Sequence, residues 1–143
     1  MRIIARYRRW GYRYWGFLPT FLKIDDLGIG GRIDFLLDTG AGETILSERD
    51  AQRIGLPYRN FPRGRNARGV GGTAHTYKID KEATFYMLTT EEEICSVKRR
   101  FIEVLEEPTP EKELPSILGL EFLEELNFKL TFDMPVIAIY LER

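Results

Sequence analysis

Residues 35–42 read Phe35-Leu36-Leu37-Asp38-Thr39-Gly40-Ala41-Gly42, an apolar run that climbs straight into an acid, a hydroxyl and two glycines. A carboxylate at the end of a core strand costs desolvation free energy unless something pairs with it or uses it. Ile33 to Leu37 has the β-branched and aromatic character of a buried strand, and the glycines behind Asp38 permit a tight turn with close main-chain approach. The stretch marks a strand end that presents an acid, and the reason for the acid must come from the rest of the chain.

The chain has 143 residues, enough for one compact domain with a real core. We treat 1–143 as a single domain, with residues 1–24 as an N-terminal strand region able to extend a dimer sheet. Apolar residues make up 43% and charged residues 30%, a globular balance, and a formal net charge of -1 gives no global field toward nucleic acid or anionic membrane. Cys95 is the sole cysteine and His75 the sole histidine, which excludes an internal disulfide, a thiolate cluster and a histidine-rich metal site. No metal and no cofactor are expected. The lone thiol and the lack of a leader-like or membrane-length apolar segment point to a cytoplasm and to no membrane partner.

Outward from the motif, residues 12–14 alternate like a strand between Gly11 and Gly16, and Phe17 to Ile24 reads as another. Gly28, Gly30 and Gly31 read as a turn. Ser47 followed by Asp50 three residues later is a capping pattern for a short helix that stops at Gly55 before Pro57. A polar, glycine-rich segment is centred on Gly69-Val70-Gly71-Gly72. Tyr77 to Leu88 and Ile94 to Leu105 read as paired strands around the acidic turn Glu91-Glu92-Glu93. The proline-rich, acidic residues 106–115 read as a surface loop. Ile117-Leu118-Gly119 leads into a helix over 120–126, and 129–133 with 136–141 reads as a closing hairpin. The fold class is all-β with one or two short helices.

Three features in this order resemble the retropepsin-like aspartic proteases: Leu37-Asp38-Thr39-Gly40-Ala41, Gly69-Val70-Gly71-Gly72, and Ile117-Leu118-Gly119 before Leu120-Glu121-Phe122-Leu123. The resemblance covers about residues 20 to 140 and is closer to cellular and prokaryotic single-domain members than to viral ones. Viral members carry Arg after the late glycine and Asp after the active-site alanine, where Leu120 and Gly42 stand here. The resemblance implies an acid-protease half-barrel, one lobe per chain, that hydrolyses peptide bonds. It makes Asp38 catalytic and gives Thr39, Gly40 and Gly119 supporting roles. It places polypeptide substrate at Gly40, Ala41, Gly69, Val70, Gly71 and Gly72, the last four forming a flap.

The chemistry fits. Two carboxylates a few ångströms apart share one proton, so one acts on a trapped water while the other polarises the scissile carbonyl. The chain has one Asp-Thr-Gly, so such a site needs a homodimer in which Asp38 faces its own copy. A non-catalytic peptide-binding module on the same fold is the alternative. A further alternative is single-stranded nucleic acid on the N-terminal cluster of Arg2, Arg6, Arg8, Arg9 and Arg13 with Tyr7, Trp10, Tyr12, Tyr14 and Trp15. It is disfavoured, because the rest of the chain is not basic; a hairpin with inward aromatics and stacked arginines is the simpler reading. His75 reads as a surface residue, Cys95 as a small buried one, and Lys98-Arg99-Arg100 as a solvated edge.

Overall fold

The computed structural model of the chain describes residues 1–69, 72–107, 114–125, 129–133 and 138–142. Strands β1 (Arg2–Trp10) and β2 (Arg13–Ile24) form a hairpin that turns at Gly11, whose φ of +64° is the left-handed conformation glycine accepts without strain. A single 3-10 turn, Asp25–Leu27, closes on Gly28 at φ +63°. From there β3 (Ile29–Leu37) runs back along β2, from Ile24 opposite Ile29 to Phe17 opposite Leu36. Pro19 lacks an N–H, and it falls in the gap on β2 between the β1 pairing, which ends at Phe17, and the pairing with another strand that begins at Phe21.

Strand β4 (Ile45–Ser47) leads into helix α1 (Glu48–Arg53). Ser47 caps the helix, its hydroxyl accepting from Asp50 N at 3.1 Å, and Gly55 at φ +78° ends the segment, as the sequence pattern predicts. Next come the short hairpin β5 (Ala67–Gly69) and β6 (Gly72–Ala74), then β7 (Thr76–Ile79), β8 (Ala83–Leu88), β9 (Ile94–Arg99) and β10 (Ile102–Leu105). The chain closes with β11 (Ile117–Leu118), α2 (Leu120–Glu125), β12 (Lys129–Asp133) and β13 (Ala138–Glu142).

Eleven of these strands form one sheet in the order β12-β13-β1-β2-β3-β11-β4-β10-β7, with β8 branching from β2 and carrying β9. The sheet curls over a core in which Phe85 touches Phe35 at 5.6 Å and Phe122 at 5.1 Å between ring centres, with Leu18, Leu22, Ile33, Leu46 and Leu118 around them. Ile33 and Phe35 are fully buried whereas Asp34 and Leu36 are half-buried, because alternate residues of a strand face opposite sides. Burial of a side chain such as Phe35 contributes about 1.5–3 kcal/mol.

Three sequence expectations change. Residues 77–88 and 94–105 each divide into two strands, at polar residues 80–82 and at Arg100–Phe101. The halves next to the 89–93 turn pair as β8 with β9, and the halves away from it as β7 with β10, which also joins β4. Gly30 and Gly31 lie inside β3 and are not turn residues: a Cβ at Gly31 would sit 2.5 Å from Ile54 Cγ2, so the glycine lets the end of α1 pack on the strand. The N-terminal aromatics do not all turn inward. Tyr12, Tyr14 and Trp15 are exposed near the hairpin tip, while Arg8 stacks on Phe17 at 4.6 Å. The turn expected between 133 and 138, and the last residues expected for α2, fall outside the described residues. Among the described residues no helix is long and apolar enough to cross a membrane.

Candidate active site

Asp38 stands where β3 ends, held from the C-terminal side of the chain. Strand β11 runs parallel to β3 with Ile117 opposite Leu36 and Leu118 opposite Leu37. Leu36 N donates to Ser116 O at 2.8 Å and Asp38 N donates to Leu118 O at 3.2 Å, so the ladder continues up to the acid itself. Beyond it the chain turns: Ala41 N donates to Asp38 O at 3.1 Å, and Gly40 N donates to the carboxylate Oδ1 at 3.0 Å. A backbone N–H aimed at a carboxylate fixes its direction. Asp38 is half-buried, and Thr39 and Gly40 are exposed.

The rest of the turn is stitched to the segment after β11. Leu120 N donates to Ala41 O at 2.8 Å, Glu121 N to Gly42 O at 3.3 Å and Gly119 N to Thr44 Oγ1 at 3.0 Å, while Thr44 N donates to Glu121 Oε1. Gly119 is packed against this loop so closely that a Cβ there would overlap the backbone N, C and O of Glu43. Beneath, Ser116 Oγ donates to Asp50 Oδ2 at 2.6 Å and accepts from Ser47 N at 2.9 Å, which ties the start of α1 to β11.

The hairpin of β5 and β6 pairs Ala67 with Ala74 and Gly69 with Gly72; Val70 and Gly71 lie outside the described residues. Its base is fastened at several points. Gly64 N donates to Thr76 O at 2.9 Å, His75 O accepts from Glu106 N at 2.9 Å, and the exposed His75 ring lies 3.0 Å from Asn66 Oδ1. Arg65 spans from the hairpin base to the acid-bearing loop: it pairs with Glu43 and lies 3.7 Å from Glu103 on β10. A cavity of about 280 Å³ opens there, walled by Glu43, Arg65, Arg99, Glu103 and Glu121. Glu103 is only 5% exposed, and burial, then the neighbouring Glu43 charge, raises its pKa above the ordinary glutamate value.

The fold thus brings Asp38, Thr39, Gly40 and Ala41 into one turn with Gly119 behind it. Leu120 is partly exposed, and nothing lies within 4 Å of a Cβ placed on Gly42, so no ion pair joins the two positions that carry charges in viral members. Cys95 is buried. Sequence reasoning passed over Thr44, Glu121, Ser116 and the Glu43–Arg65–Glu103 group. Their partners are remote in the chain, so only the spacing of a hydroxyl after the glycines could have pointed to Thr44. One carboxylate at a strand end can take a proton from a water, but it cannot at the same time donate one to a carbonyl.

Two solved structures share the architecture. A retropepsin-like aspartic protease from Rickettsia conorii is 21% identical, with a TM-score of 0.59 over 99% of this chain and 89% of that one. EIAV protease, complexed with the inhibitor HBY-793, is 22% identical, with a TM-score of 0.51 over 87% of this chain and all of that one. No curated protein matches the chain in sequence. The family model described as "gag-polyprotein putative aspartyl protease" matches residues 28–125, more than half of the chain and inclusive of every part of the site above. The chain therefore belongs to this aspartyl protease family and has the retropepsin-like fold.

Proposed function

We propose that the protein is a homodimeric aspartic endopeptidase whose site forms where Asp38 meets Asp38 of a second copy. One observation carries this: the chain offers one Asp-Thr-Gly, on a turn whose acid is half-buried and whose next two residues are exposed. A two-carboxylate site then requires two chains, and in this reading the exposed Thr39 bonds across the two-fold axis. In the dimer one carboxylate is ionised and the other protonated. The ionised one removes a proton from a water as its oxygen attacks the peptide carbonyl carbon. The protonated one donates to the carbonyl oxygen as charge develops there. The tetrahedral intermediate collapses when the peptide nitrogen gains a proton and the C–N bond breaks, with no covalent enzyme intermediate.

The remaining roles follow from position. Gly40 gives its N–H to Asp38, so it meets an extended substrate through its carbonyl, beside Ala41. The β5–β6 hairpin, with Gly69 paired to Gly72, closes over the peptide and excludes water, with Arg65 anchoring its base to Glu43; Val70 and Gly71 keep the substrate-binding role that the family resemblance implies. EIAV protease, whose fold is similar, is known with an inhibitor bound, which supports a cleft for ligands of that kind in this chain. The enzyme works in a cytoplasm.

Cleavage of a mixed peptide library by wild type and by Asp38→Asn, with sedimentation of both, tests the proposal. Fragments from wild type alone, with both chains dimeric, are expected. Equal turnover by the two chains sinks the enzyme role, and peptide binding without cleavage by either favours a binding module.

A further inference from the structure

Strand β2 changes partners along one edge, and the change leaves an opening in the sheet. Strand β1 pairs with that edge as far as Arg6 opposite Phe17, and β8 takes it up at Phe21, opposite Tyr86. Between them Leu18, Pro19 and Thr20 pair with β3 alone. Strands β1 and β8 meet again where Ile3 bridges Thr89 and Thr90 N donates to Arg2 O at 2.8 Å, so the opening is closed at both ends. Proline suits position 19, since it has no N–H for a ladder to use.

Ile3, Ala5, Leu18, Phe85 and Met87 are buried in the core, so alternation turns Ile4, Arg6, Pro19, Phe21, Tyr86 and Leu88 to the opposite face. There they wall a cavity of about 600 Å³ over the opening. That size falls within the usual range of small-molecule pockets, about 300–1,000 Å³. The registers give it an axis. Arg6 stands at Phe17 and Tyr86 at Phe21, four residues apart on β2, or about 13 Å at the usual rise per residue. Continued inward, both registers bring Ile4 and Leu88 level with Pro19, one on each side. Phe21 stays 47% exposed and Leu88 60%, and large apolar side chains left open around a hollow mark a binding surface.

Charge decides what fits. Among the described residues no acid lines the cavity, and the Arg6 side chain makes no hydrogen bond or ion pair. Arg32, the other cation on the wall, is already bonded to Asp34. We infer that this groove binds a single amphipathic carboxylate of medium chain length, its head on Arg6 and its alkyl chain passing between Ile4 and Leu88 to Phe21. A guanidinium fork matches a carboxylate's two oxygens. The hydroxyls on the wall favour an alkyl chain over a peptide, because they are engaged within the protein: Thr20 Oγ1 donates to Leu18 O at 3.2 Å, and Thr89 Oγ1 accepts from Glu93 N at 3.1 Å. The concave shape and a formal net charge of -1 favour one free amphiphile over an anionic bilayer. The site does not involve Asp38 and stands apart from the proteolytic reading.

Isothermal titration of the full chain at neutral pH and fixed ionic strength tests the site. The probes are octanoate, octanol, which keeps the tail without the charge, and N-acetyl-leucyl-leucine, which puts the carboxylate on a peptide. Octanoate is expected to give a saturable heat and to bind more tightly than either of the others. Arg6→Gln should weaken octanoate about tenfold, the scale of a lost bond to a charged group, and leave octanol unchanged. Leu88→Ser should weaken both. Each of these side chains is exposed, so neither substitution opens the core. No saturable heat with octanoate overturns the site, and so does equal octanoate affinity in a folded Arg6→Gln chain. Tighter binding of the peptide than of octanoate overturns the alkyl ligand in favour of an extended peptide.

Discussion

Gly119→Ala tests whether the acid-bearing turn is positioned by the segment behind it. The added Cβ would overlap backbone atoms of Glu43, which cannot swing aside as a flexible side chain can. Overpacking of this kind costs about 1–3 kcal/mol. Moving the turn also strains the bond from Gly119 N to Thr44 Oγ1, worth about 1 kcal/mol. Alanine for glycine stiffens the unfolded chain and offsets about 0.4–1 kcal/mol of this. Gly42→Ala supplies the reference: it carries the same unfolded-state gain, sits in the same turn, and meets nothing within 4 Å. The difference between the two variants therefore isolates the packing and bonding loss, about 2–4 kcal/mol. For a chain of this length that is about 6–16 °C in Tm. Thermal melts of both variants at one protein concentration read the difference, since any dimer would make Tm concentration-dependent. If Gly119→Ala melts within about 3 °C of Gly42→Ala, the close packing of residue 119 on the turn is not what holds Asp38.

Ser116→Ala removes two bonds from a fully buried oxygen and leaves Asp50 under-partnered; denaturant unfolding should show a loss of about 2–3 kcal/mol, and a loss under about 0.5 kcal/mol would contradict the network. Thr39→Ala should leave the monomer's fold intact, because the side chain is exposed, yet weaken self-association; sedimentation that finds an unchanged dimer equilibrium argues against a bond across the axis. Glu103→Gln carries a pH signature. The folded carboxyl holds its proton more tightly than the unfolded one, so wild-type stability falls as pH rises above the ordinary value of 4.5 through the raised one, while glutamine cannot titrate. The Tm of Glu103→Gln minus that of wild type should thus grow from pH 4.5 to 7, and a constant difference refutes the burial penalty.

Local signals in the sequence carried far, and they failed where partners are distant. The capped helix after Ser47, its stop at Gly55 and the strand rising into Asp38 are legible because each depends on neighbours within a few residues. Gly31 misleads for the opposite reason. As a turn signal it is ordinary, but what requires glycine there is Ile54, brought in by α1 from well down the chain. The division of residues 77–88 and 94–105 is likewise invisible to apolar patterning, since both halves of each run are strand-like and only their different neighbours, β2 for one pair and β4 for the other, separate them. Tyr12, Tyr14 and Trp15 look like core residues by type, yet the hairpin tip that bears them extends past the end of β13 on one side and of β3 on the other.

The same distinction explains how the site is built. Within the turn, Asp38 accepts from Gly40 and Ala41, which fixes its local shape. Its placement comes from elsewhere: the bonds from Asp38, Leu120, Glu121 and Gly119 all join the turn to residues 118–121. The motif alone would be a mobile acidic turn, since a strand that ends in glycines has little to hold it. Pairing it in parallel with β11 and backing it with a residue that has no side chain converts it into a rigid mount for one carboxylate. On the proposed two-chain reading, rigidity matters more than in a site assembled within one chain. A shared-proton pair works only when both carboxylates keep a separation of a few ångströms, and each mount contributes its own error to that distance. On that reading the late Ile117-Leu118-Gly119 is as much part of the catalytic apparatus as Asp38-Thr39-Gly40, although it supplies no reacting atom.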